Sequence, residues 1–398
     1  MHSPEPFLPY GRQKISEADI NAVVDVLRSQ FLTQGPAVRD FEKAVARKVE
    51  ASYGVAVNSA TSALHLACIA VGLKPGDRLW TSPITFVASA NCGRYCGAEI
   101  DFVDIEPETG LMCVNALAKK LETAEQQELL PKVVIPVHLC GTSCDMASIA
   151  ALADRYGFTV IEDASHAIGG YYKGKPIGNC TYSSISVFSF HPVKIITTGE
   201  GGLATTNDQQ LAKRMEELRS HGITKDQERF IQPVQGPWSY EQQNLGFNYR
   251  MTDIQAALGL SQLKRLDKIV LERNHQLRNY RELLAAFPIQ ILEVPEDSLS
   301  SVHLAVIRLK EVSAKKHRRV FEGLRASGIG VQLHYTPVHL QPYYRELGFE
   351  EGQFPEAEAY ALSAMSLPLF PGLDVRDQKR VAGELKRQLD LVAREIIE

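Results

Sequence analysis

The 398-residue sequence has no apolar run approaching the roughly 18 residues that a membrane-spanning helix needs. It also has no large excess of either charge, because 43 basic and 47 acidic residues leave a net charge of −4 and no basic block. Proteins that bind a phosphate backbone normally present a basic face. We therefore expect neither a membrane nor a nucleic acid as a partner.

Signals for secretion and for zinc binding are also missing. Residues 1–6 lack the basic start and apolar stretch of a secretory signal, which predicts a cytoplasmic protein. The seven cysteines include two pairs with three intervening residues, Cys92/Cys96 and Cys140/Cys144. Neither pair has the tighter spacing and histidine partners of a structural zinc site. We expect reduced thiols that mostly fill the core, and no metal.

Short apolar runs alternate with helical patterns through the first half of the chain. The strand candidates are residues 55–57, 78–81, 100–103, 133–137, 158–161 and 185–188. The helical candidates are residues 61–71, 87–95, 114–121, 146–156 and 209–220. Such alternation is typical of a parallel sheet that is covered by helices on both faces. An earlier helix is predicted from Ser16, with apolar residues at helical spacing from Ile20 to Leu27.

The C-terminal part has a different pattern. It consists of a polar loop over 224–246, helical residues over 252–287, strands over 302–309 and 331–333, and a final helix over 377–397. We expect an α/β protein with a large, mostly parallel sheet domain over residues 1–265, including an N-terminal arm. A smaller α+β domain is expected over residues 266–398.

The first of four polar strand exits runs from Asn58 to Ser62. Ligands bind open parallel sheets at the carboxyl ends of the strands, so these exits are candidate site segments. Free amides at Ala60, Thr61 and Ser62, together with the hydroxyls and the positive helix end, would form an anion cradle. The same residue types are also preferred as helix N-caps, which leaves both interpretations open.

A second exit carries Glu162, Asp163 and His166. Side chains alternate along a strand, so one carboxylate should meet a ligand while the other is solvated or capping. Asp163 at this depth would suit a protonated ring nitrogen, because the ion pair keeps both groups charged. Helix capping by Asp163 is the alternative. Phe86, at another exit, could stack on a flat ring, although a lone aromatic more often belongs to the core.

A further exit places Lys194 among Val193, Ile195 and Ile196 rather than on a charged helix face. Most lysines are solvated, but apolar surroundings lower the pKa of an amine and so favour attack on a carbonyl. Glycines that follow, including Gly202, allow close backbone approach. Together with the cradle, the aspartate and the aromatic ring, this lysine supplies what pyridoxal phosphate needs.

Two other functions compete with this interpretation. A nicotinamide-dependent oxidoreductase needs Gly-x-Gly-x-x-Gly directly after a strand, but the first exit reads Asn-Ser-Ala-Thr-Ser-Ala. A non-catalytic sensor or regulatory relative with the same fold is the second alternative. The presence of both Lys194 and Asp163 argues against it.

The sequence resembles the DegT/StrS-type nucleotide-sugar aminotransferases, which belong to the fold-type I pyridoxal-phosphate enzymes. The resemblance runs nearly the full length and is carried by residues 32–36, 161–166, 188–194, 246–251, 334–339 and 366–369. Residues 58–64 and 188–194 are most similar to members that form UDP-4-amino-4,6-dideoxy-N-acetyl-β-L-altrosamine in pseudaminic acid biosynthesis. The implied fold is a fold-type I pyridoxal-phosphate-dependent transferase.

The resemblance also implies roles for individual residues. Lys194 would bind the cofactor covalently and move a proton between substrate and cofactor carbons. Asp163 would pair with the pyridine nitrogen, His166 would lie near the ring hydroxyl, and Phe86 would stack on the ring. Further cofactor contacts are expected from Ala60, Thr61, Ser62, Ser189 and Asn248, the last reaching the neighbouring subunit of a homodimer with shared active sites. Sugar-nucleotide contacts are implied for Tyr10, Thr33, Arg250, Tyr335 and His339.

The implied reaction moves an amino group from L-glutamate, which becomes 2-oxoglutarate, to a UDP-sugar. The acceptor would be C4 of a UDP-linked 4-keto-6-deoxy-N-acetylhexosamine. A different 4-keto or 3-keto nucleotide sugar is the alternative within the same family.

Overall fold

The computed structural model describes residues 6–311 and 313–394. Two predictions concern residues outside these ranges. They are the lack of a secretory signal, for residues 1–5, and the end of the last helix, for residues 395–397. Within the described ranges, no helix combines the length and the apolar character that crossing a bilayer requires. All seven cysteines are unpaired and five are buried, as expected for thiols that mostly fill the core.

The helices and strands follow in chain order. The helices are α1 (Glu17–Leu27), α2 (Pro36–Lys48), α3 (Ala60–Ala70), α4 (Ala88–Tyr95), α5 (Val114–Gln126), α6 (Met146–Tyr156), α7 (Gln209–Leu218), α8 (Asp253–Leu263), α9 (Leu266–Leu283), α10 (Ala314–Ala326), α11 (Pro342–Arg345), α12 (Pro355–Ser363) and α13 (Val375–Arg394). The longer strands are β1 (Tyr53–Val57), β2 (Arg78–Thr81), β3 (Glu99–Phe102), β4 (Val133–Ile135), β5 (Thr159–Asp163), β6 (Ile185–Ser189), β7 (Gly202–Thr206), β8 (Ile289–Ile291), β9 (Ala305–Leu309) and β10 (Ala364–Leu367). Two-residue strands lie at Tyr171–Tyr172, Lys175–Pro176, Ile223–Thr224, Glu241–Gln242 and Ser298–Leu299, and 3-10 turns at Leu139–Gly141, Gln227–Arg229 and Val338–Leu340.

A seven-stranded sheet forms the centre of the larger part, in the order β1-β7-β6-β5-β4-β2-β3. The ladders from β3 to β6 are parallel, whereas β7 pairs antiparallel with both β6 and β1. Helix α2 packs against β1, α3 against β6 and β7, and α4 against β2 and β3. The predicted α/β class and mostly parallel sheet are confirmed. The topology brings the carboxyl ends of β1, β5 and β6 to one edge of the sheet.

Local sequence explains where several helices begin and end. Ser16 and Asp19 form the predicted capping box of α1. Helix α6 ends where Gly157 adopts a φ of 76°, a left-handed conformation that costs glycine little. The predicted apolar positions Ile20 and Leu27 of α1, however, are exposed. Inside this helix it is the Asp19 side chain that is fully buried.

A smaller antiparallel sheet, in the order β8-β9-β10, lies in the C-terminal part. Helix α10 packs against α13, and α12 packs against β9. The core of this part includes Leu8, whose backbone donates to Gly328 at 2.9 Å and accepts from Gly330 at 2.7 Å. The N-terminal arm therefore reaches the C-terminal part. A domain boundary between residues 265 and 266, at the junction of α8 and α9, stays a prediction.

Some sequence-based elements differ from those observed. Residues 331–333 are not a strand, because the pairing of this segment with β10 is limited to an isolated bridge between Gln332 and Ser366. The helical stretch over 252–287 divides into α8 and α9 near Arg265. The loop over 224–246 contains a 3-10 turn and closes through a two-residue ladder. Strands β7, β8 and β10 have no counterpart in the prediction.

Candidate active site

A cavity of about 550 Å³ lies at the edge where β1, β5 and β6 end. It brings together nine of the residues that the sequence analysis singled out. These are Tyr10, Ala60, Thr61, Phe86, Asp163, His166, Ser189, Lys194 and Tyr335. Segments that are far apart in the chain therefore form one site, as the strand-exit argument predicts.

The N-terminus of α3 forms one end of the cavity. Ser59 caps the helix, since its Oγ accepts from the Ser62 amide at 3.1 Å. Ala60 and Thr61 follow in the first turn, where backbone amides have no partner within the helix. The expectation of a free amide at Ser62 is wrong, because the cap uses it and the Ser62 hydroxyl donates to Asn58 Oδ1 at 2.6 Å. The cap and the anion cradle thus coexist in one turn.

Gly202, the first residue of β7, supports this turn. A Cβ atom at position 202 would collide with the peptide that joins Ser59 to Ala60. Glycine at position 202 therefore allows the strand to press directly against the cradle.

Asp163 lies at the end of β5 and is buried. Its Oδ2 accepts from the Ser89 hydroxyl at 2.6 Å, and its Oδ1 accepts from the Ser165 amide at 3.1 Å. These two bonds fix the orientation of the carboxylate, which lines the cavity. A carboxylate held in this way can pair with a protonated ring nitrogen.

Glu162 points to the other face of the sheet, as strand alternation predicts. It is neither solvated nor capping, which corrects the expectation for the second carboxylate. Its Oε2 accepts from His138 Nε2 at 2.7 Å, and its Oε1 accepts from the Ser183 hydroxyl at 2.5 Å. Because Glu162 is buried, these two partners take the place of water.

Lys194 is half-buried in the turn that follows β6, and its backbone amide donates to the His191 carbonyl at 3.0 Å. Burial lowers the pKa of the amine to about 8, and the negative charge of Asp163 acts against this lowering. The predicted lowering of the pKa is therefore present, although the cavity around Lys194 also holds polar groups such as Asp163 and His166. An amine with this pKa is partly unprotonated near neutral pH.

His166 lines the cavity, and both nitrogens of its ring form hydrogen bonds. Its Nδ1 accepts from the Cys140 amide at 3.3 Å, so the ring proton lies on Nε2. Nε2 then donates to the Tyr335 hydroxyl at 3.1 Å. Burial and the nearby Lys194 charge hold the pKa of His166 well below its ordinary value, so the ring is neutral.

Three further histidines line the cavity, His191, His303 and His334, and the sequence analysis gave none of them a role. His303 is buried with its ring 4.4 Å from that of His166, and His334 Nδ1 lies 2.8 Å from Ser366 Oγ. Burial lowers the pKa of His334 to about 4. No local pattern distinguishes His303 or His334, since His303 lies at the start of the strand predicted over 302–309 and His334 follows the one predicted over 331–333.

Phe86 and Tyr10 lie towards the opening of the cavity. Phe86 is 59% exposed, which is unusual for a large apolar side chain and contradicts the core alternative. Its ring is 6.4 Å from that of Tyr335. The ring of Tyr10 is 5.2 Å from that of His334.

Four other predicted contacts lie outside the cavity. Thr33 and Asn248 are exposed, and Arg250 bridges Val57 through its backbone. His339 is fully buried, its Nε2 lies 2.9 Å from Glu358 Oε1, and it packs on aromatic rings. A substrate contact by His339 stays a prediction, and the packing that turns this ring into the core gives it no support.

The residues fit pyridoxal phosphate. The amides of Ala60 and Thr61 at a helix N-terminus suit the phosphate, and Asp163 suits the ring nitrogen. Lys194 supplies an amine of lowered pKa in the same cavity, and Phe86 supplies an exposed aromatic face.

Comparisons with known proteins agree with this geometry. The DegT/DnrJ/EryC1/StrS aminotransferase family matches residues 13–386. The chain is 39% identical to the spore coat polysaccharide biosynthesis protein SpsC of Bacillus subtilis, over 93% of this chain and 94% of SpsC. It is 37% identical to the UDP-4-amino-4-deoxy-L-arabinose–oxoglutarate aminotransferase of Shewanella sediminis, over 95% of this chain and 97% of that protein.

Solved structures are similar over nearly the whole chain. Spr1654 from Streptococcus pneumoniae has structures of a PMP-form and a PLP-form. Its PMP-form has a TM-score of 0.88 and 30% identity, covering 97% of this chain and 100% of that chain. PseC of Helicobacter pylori, an aminotransferase involved in the biosynthesis of pseudoaminic acid, has a TM-score of 0.88 and 29% identity, covering 96% and 99%. Since the family match spans nearly the whole chain, the chain belongs to the DegT/DnrJ/EryC1/StrS aminotransferase family, as a fold-type I, pyridoxal-phosphate-dependent sugar aminotransferase.

Proposed function

We propose that this enzyme transfers the amino group of L-glutamate to C4 of a UDP-linked 4-keto-6-deoxy-N-acetylhexosamine, in the cytoplasm and for pseudaminic acid biosynthesis. The observation that carries the transfer is the convergence of Lys194, Asp163 and the α3 N-terminus on one cavity. Oxoglutarate in the name of the Shewanella sediminis relative supports glutamate as donor and 2-oxoglutarate as its product.

Lys194 performs the proton transfers in this proposal. When bound, pyridoxal phosphate supplies an electrophilic carbonyl and an electron sink. In the glutamate half-reaction, Lys194 Nζ would remove a proton from the α-carbon of the donor and deliver a proton to the cofactor side. In the sugar half-reaction, it would move a proton in the opposite direction, from the cofactor side to the sugar carbon. A pKa of about 8 suits both directions, because the amine exchanges its proton readily near neutral pH.

The other cavity residues bind and orient. Asp163 keeps the ring nitrogen protonated, which requires a charged carboxylate held in place by Ser89 and Ser165. The amides of Ala60 and Thr61 bind the phosphate, and Ser189 lines the same cavity. Phe86 covers one face of the ring. Tyr10 and Tyr335 contact the sugar nucleotide.

The nature of the sugar is supported by similarity rather than by the cavity. PseC, with 29% identity over 96% of this chain, is named for pseudoaminic acid biosynthesis. A second candidate acceptor is a UDP-4-keto-pentose, because the 37% identical relative is named for UDP-4-amino-4-deoxy-L-arabinose. Both names imply an amino group on a sugar.

We also propose a homodimer with shared active sites. Exposed apolar side chains are concentrated on α1, on Phe31 and Leu32 after it, and in the loop over 224–246. Trp238 is 74% exposed and Leu245 is 81% exposed, which is typical of a surface that a protein partner covers. Asn248, Arg250 and Thr33 lie outside the cavity of their own chain, so they suit contacts across such an interface.

A panel of UDP-4-keto sugars tests the proposed substrate. The purified enzyme is loaded with pyridoxal phosphate and supplied with glutamate, and 2-oxoglutarate release and the position of the new amine are measured. We expect the highest kcat/KM for the 4-keto-6-deoxy-N-acetylhexosamine, with the amine at C4. A higher kcat/KM for the pentose would replace the first candidate by the second, and amination at C3 would contradict both.

A further inference from the structure

His166 is held from several sides in addition to its two ring hydrogen bonds. Its backbone carbonyl accepts from the Ser301 hydroxyl at 2.8 Å. Its ring contacts that of His303 at 4.4 Å between centroids. Ser301 and His303 belong to residues 300–303, here named the strap, which precede β9 in the C-terminal part of the chain.

The Cys140 peptide connects the two histidines. Its amide donates to His166 Nδ1 at 3.3 Å, and its carbonyl accepts from the His303 amide at 2.7 Å. Next to it, a Cβ atom at Gly141 would collide with the Ser301 side chain and crowd the His166 carbonyl. The turn and the strap are therefore packed directly against each other and against His166.

The strap is fixed in an unusual backbone conformation. Val302 has a φ of 52°, a left-handed value that is rare for a β-branched residue, and Cys140 has a φ of 59°. Beneath the strap, the buried Arg273 donates to the carbonyls of Val302 and His303, both at 3.3 Å. Such conformations persist where surrounding contacts hold them, and they cluster at functional sites.

The contact between the His303 ring and the His166 ring is a packing contact. Its Nδ1 is buried and has no hydrogen-bond partner among residues 6–311 and 313–394. Burial and the Lys194 charge hold the pKa of His303 well below its ordinary value, so the ring adds no charge to the cavity.

We propose that His303 is a positioning residue for amino transfer: its ring, carried by the strap, holds His166 in the single neutral tautomer whose Nε2–H points towards Tyr335 and the cavity. The proposal rests on the proposed function, because it adopts the role that the family resemblance implies for His166, beside the ring hydroxyl of the cofactor. With the cofactor bound, the fixed Nε2–H would donate to that oxygen in place of the Tyr335 hydroxyl, in the same geometry in every catalytic cycle.

The test is nitrogen NMR of the apoprotein labelled with ¹⁵N-histidine, near neutral pH. For the unsubstituted protein we expect His166 signals of one neutral tautomer, protonated on Nε2. His303→Ala should give averaged or split His166 signals, and His303→Phe should retain the single tautomer because it keeps a flat ring. His317→Phe, which replaces a histidine on α10, should leave the His166 signals unchanged and serves as the control.

The loaded enzyme provides a second readout. We expect His303→Ala to lower kcat by about 10²-fold, the size typical of a misplaced catalytic group, while KM stays within about twofold. His303→Phe should restore most of kcat. A purely structural role would instead lower the active fraction and leave the His166 tautomer intact.

Several results would overturn the proposal. One is a mixture of tautomers or a charged His166 in the unsubstituted apoprotein. This result would contradict the proposal even if none of the variants folds. Others are an intact single tautomer in His303→Ala, or its loss in His303→Phe. Since the NMR measurement uses no sugar and no cofactor, a failure of the proposed substrate would appear separately, as absent turnover with an unchanged His166 tautomer.

Discussion

At Lys194, burial and the carboxylate of Asp163 act on the amine in opposite directions. Burial disfavours the charged form, and the nearby negative charge favours it, with a resulting pKa of about 8. The residue type and its apolar neighbours are visible in the sequence. The balance between the two effects is not, because Asp163 is distant in the chain and meets Lys194 only through the pairing of β5 with β6.

This pKa predicts a pH dependence for cofactor capture by the apoprotein. A protonated amine cannot attack a carbonyl, so the reactive fraction of Lys194 increases as the pH rises through the pKa. The rate of covalent capture, followed by stopped-flow absorbance, should rise with pH through about 8 and level off above it. A rise centred near the ordinary lysine value of 10.5 would contradict the assigned environment.

Asp163→Asn should separate binding from chemistry. Asparagine preserves the shape and the bond from the Ser165 amide, so the cofactor should still bind. Asparagine has no negative charge to keep the ring nitrogen of the cofactor protonated. The rate of proton removal in the glutamate half-reaction should therefore fall by about 10³-fold. Rapid-mixing absorbance with glutamate measures this rate.

Glu162→Gln is the matched control for Asp163→Asn, since it makes the same charge change one residue away. Glu162 faces the opposite side of the sheet and bonds His138 and Ser183. We expect a lower melting temperature with a half-reaction rate within a few-fold of the unsubstituted enzyme. Equal rate losses in the two variants would mean that Asp163 has no specific role.

At the scale of the elements, regular patterns were predicted well and context-dependent ones were not. Strand β2 and helix α6 have the predicted bounds, because an apolar run and an N-capped, glycine-ended helix are local features. Apart from Leu203, strand β7 (Gly202–Thr206) consists of small and polar residues, and it is a strand because β1 and β6 pair with it on both sides. No single-segment pattern contains that information.

The residues of the site show the same difference between local patterns, which the sequence reveals, and features that depend on long-range packing. Residues at the ends of parallel strands converge wherever the sheet places them, so Asp163, Lys194 and the α3 cap were identifiable. Residues in C-terminal loops depend on how that part packs on the sheet. His303 turns towards the cavity and His339 towards Glu358, although each directly follows a valine and no local pattern indicates its direction.

Gly202→Ala tests how β7 shapes the cradle. The added Cβ would displace the Ser59–Ala60 peptide and so weaken a phosphate contact. Losing one hydrogen bond to a charged group costs about 1.5–3 kcal/mol, or about 10–10²-fold in the dissociation constant for pyridoxal phosphate. Equilibrium dialysis of the apoprotein measures it.

Gly383→Ala is the control for this substitution. Position 383 is exposed on α13, and nothing lies within 4 Å of the added carbon. We expect unchanged cofactor affinity and a stability gain of about 0.8–1 kcal/mol from helix propensity. If Gly202→Ala also retains full affinity, the cradle does not depend on this close approach.

At the scale of the whole molecule, shared active sites predict complementation between inactive chains. Lys194→Ala removes the amine, and Asn248→Asp places a negative charge where the partner's phosphate is expected. In a 1:1 mixture, half of the dimers combine the two chains, and one site of each such dimer has both native residues. Activity should recover to about a quarter of the unsubstituted level after subunit exchange.

The complementation result has a clear alternative. If each chain completes its own site, mixing gives only the average of the two separate activities. A mixture of Lys194→Ala with Asp163→Asn provides the control. Both residues lie in the cavity of one chain, so every site of a mixed dimer keeps one of the two substitutions and no recovery is expected.

The central claim is that Lys194 holds the cofactor covalently, and borohydride reduction of the loaded enzyme tests it most directly. Reduction fixes the linkage, and peptide mapping by mass spectrometry then locates it. We predict that pyridoxal phosphate is found on the peptide containing Lys194 and is missing from the Lys194→Ala protein. Attachment to another lysine, or no attachment at all, would contradict the assignment of this site.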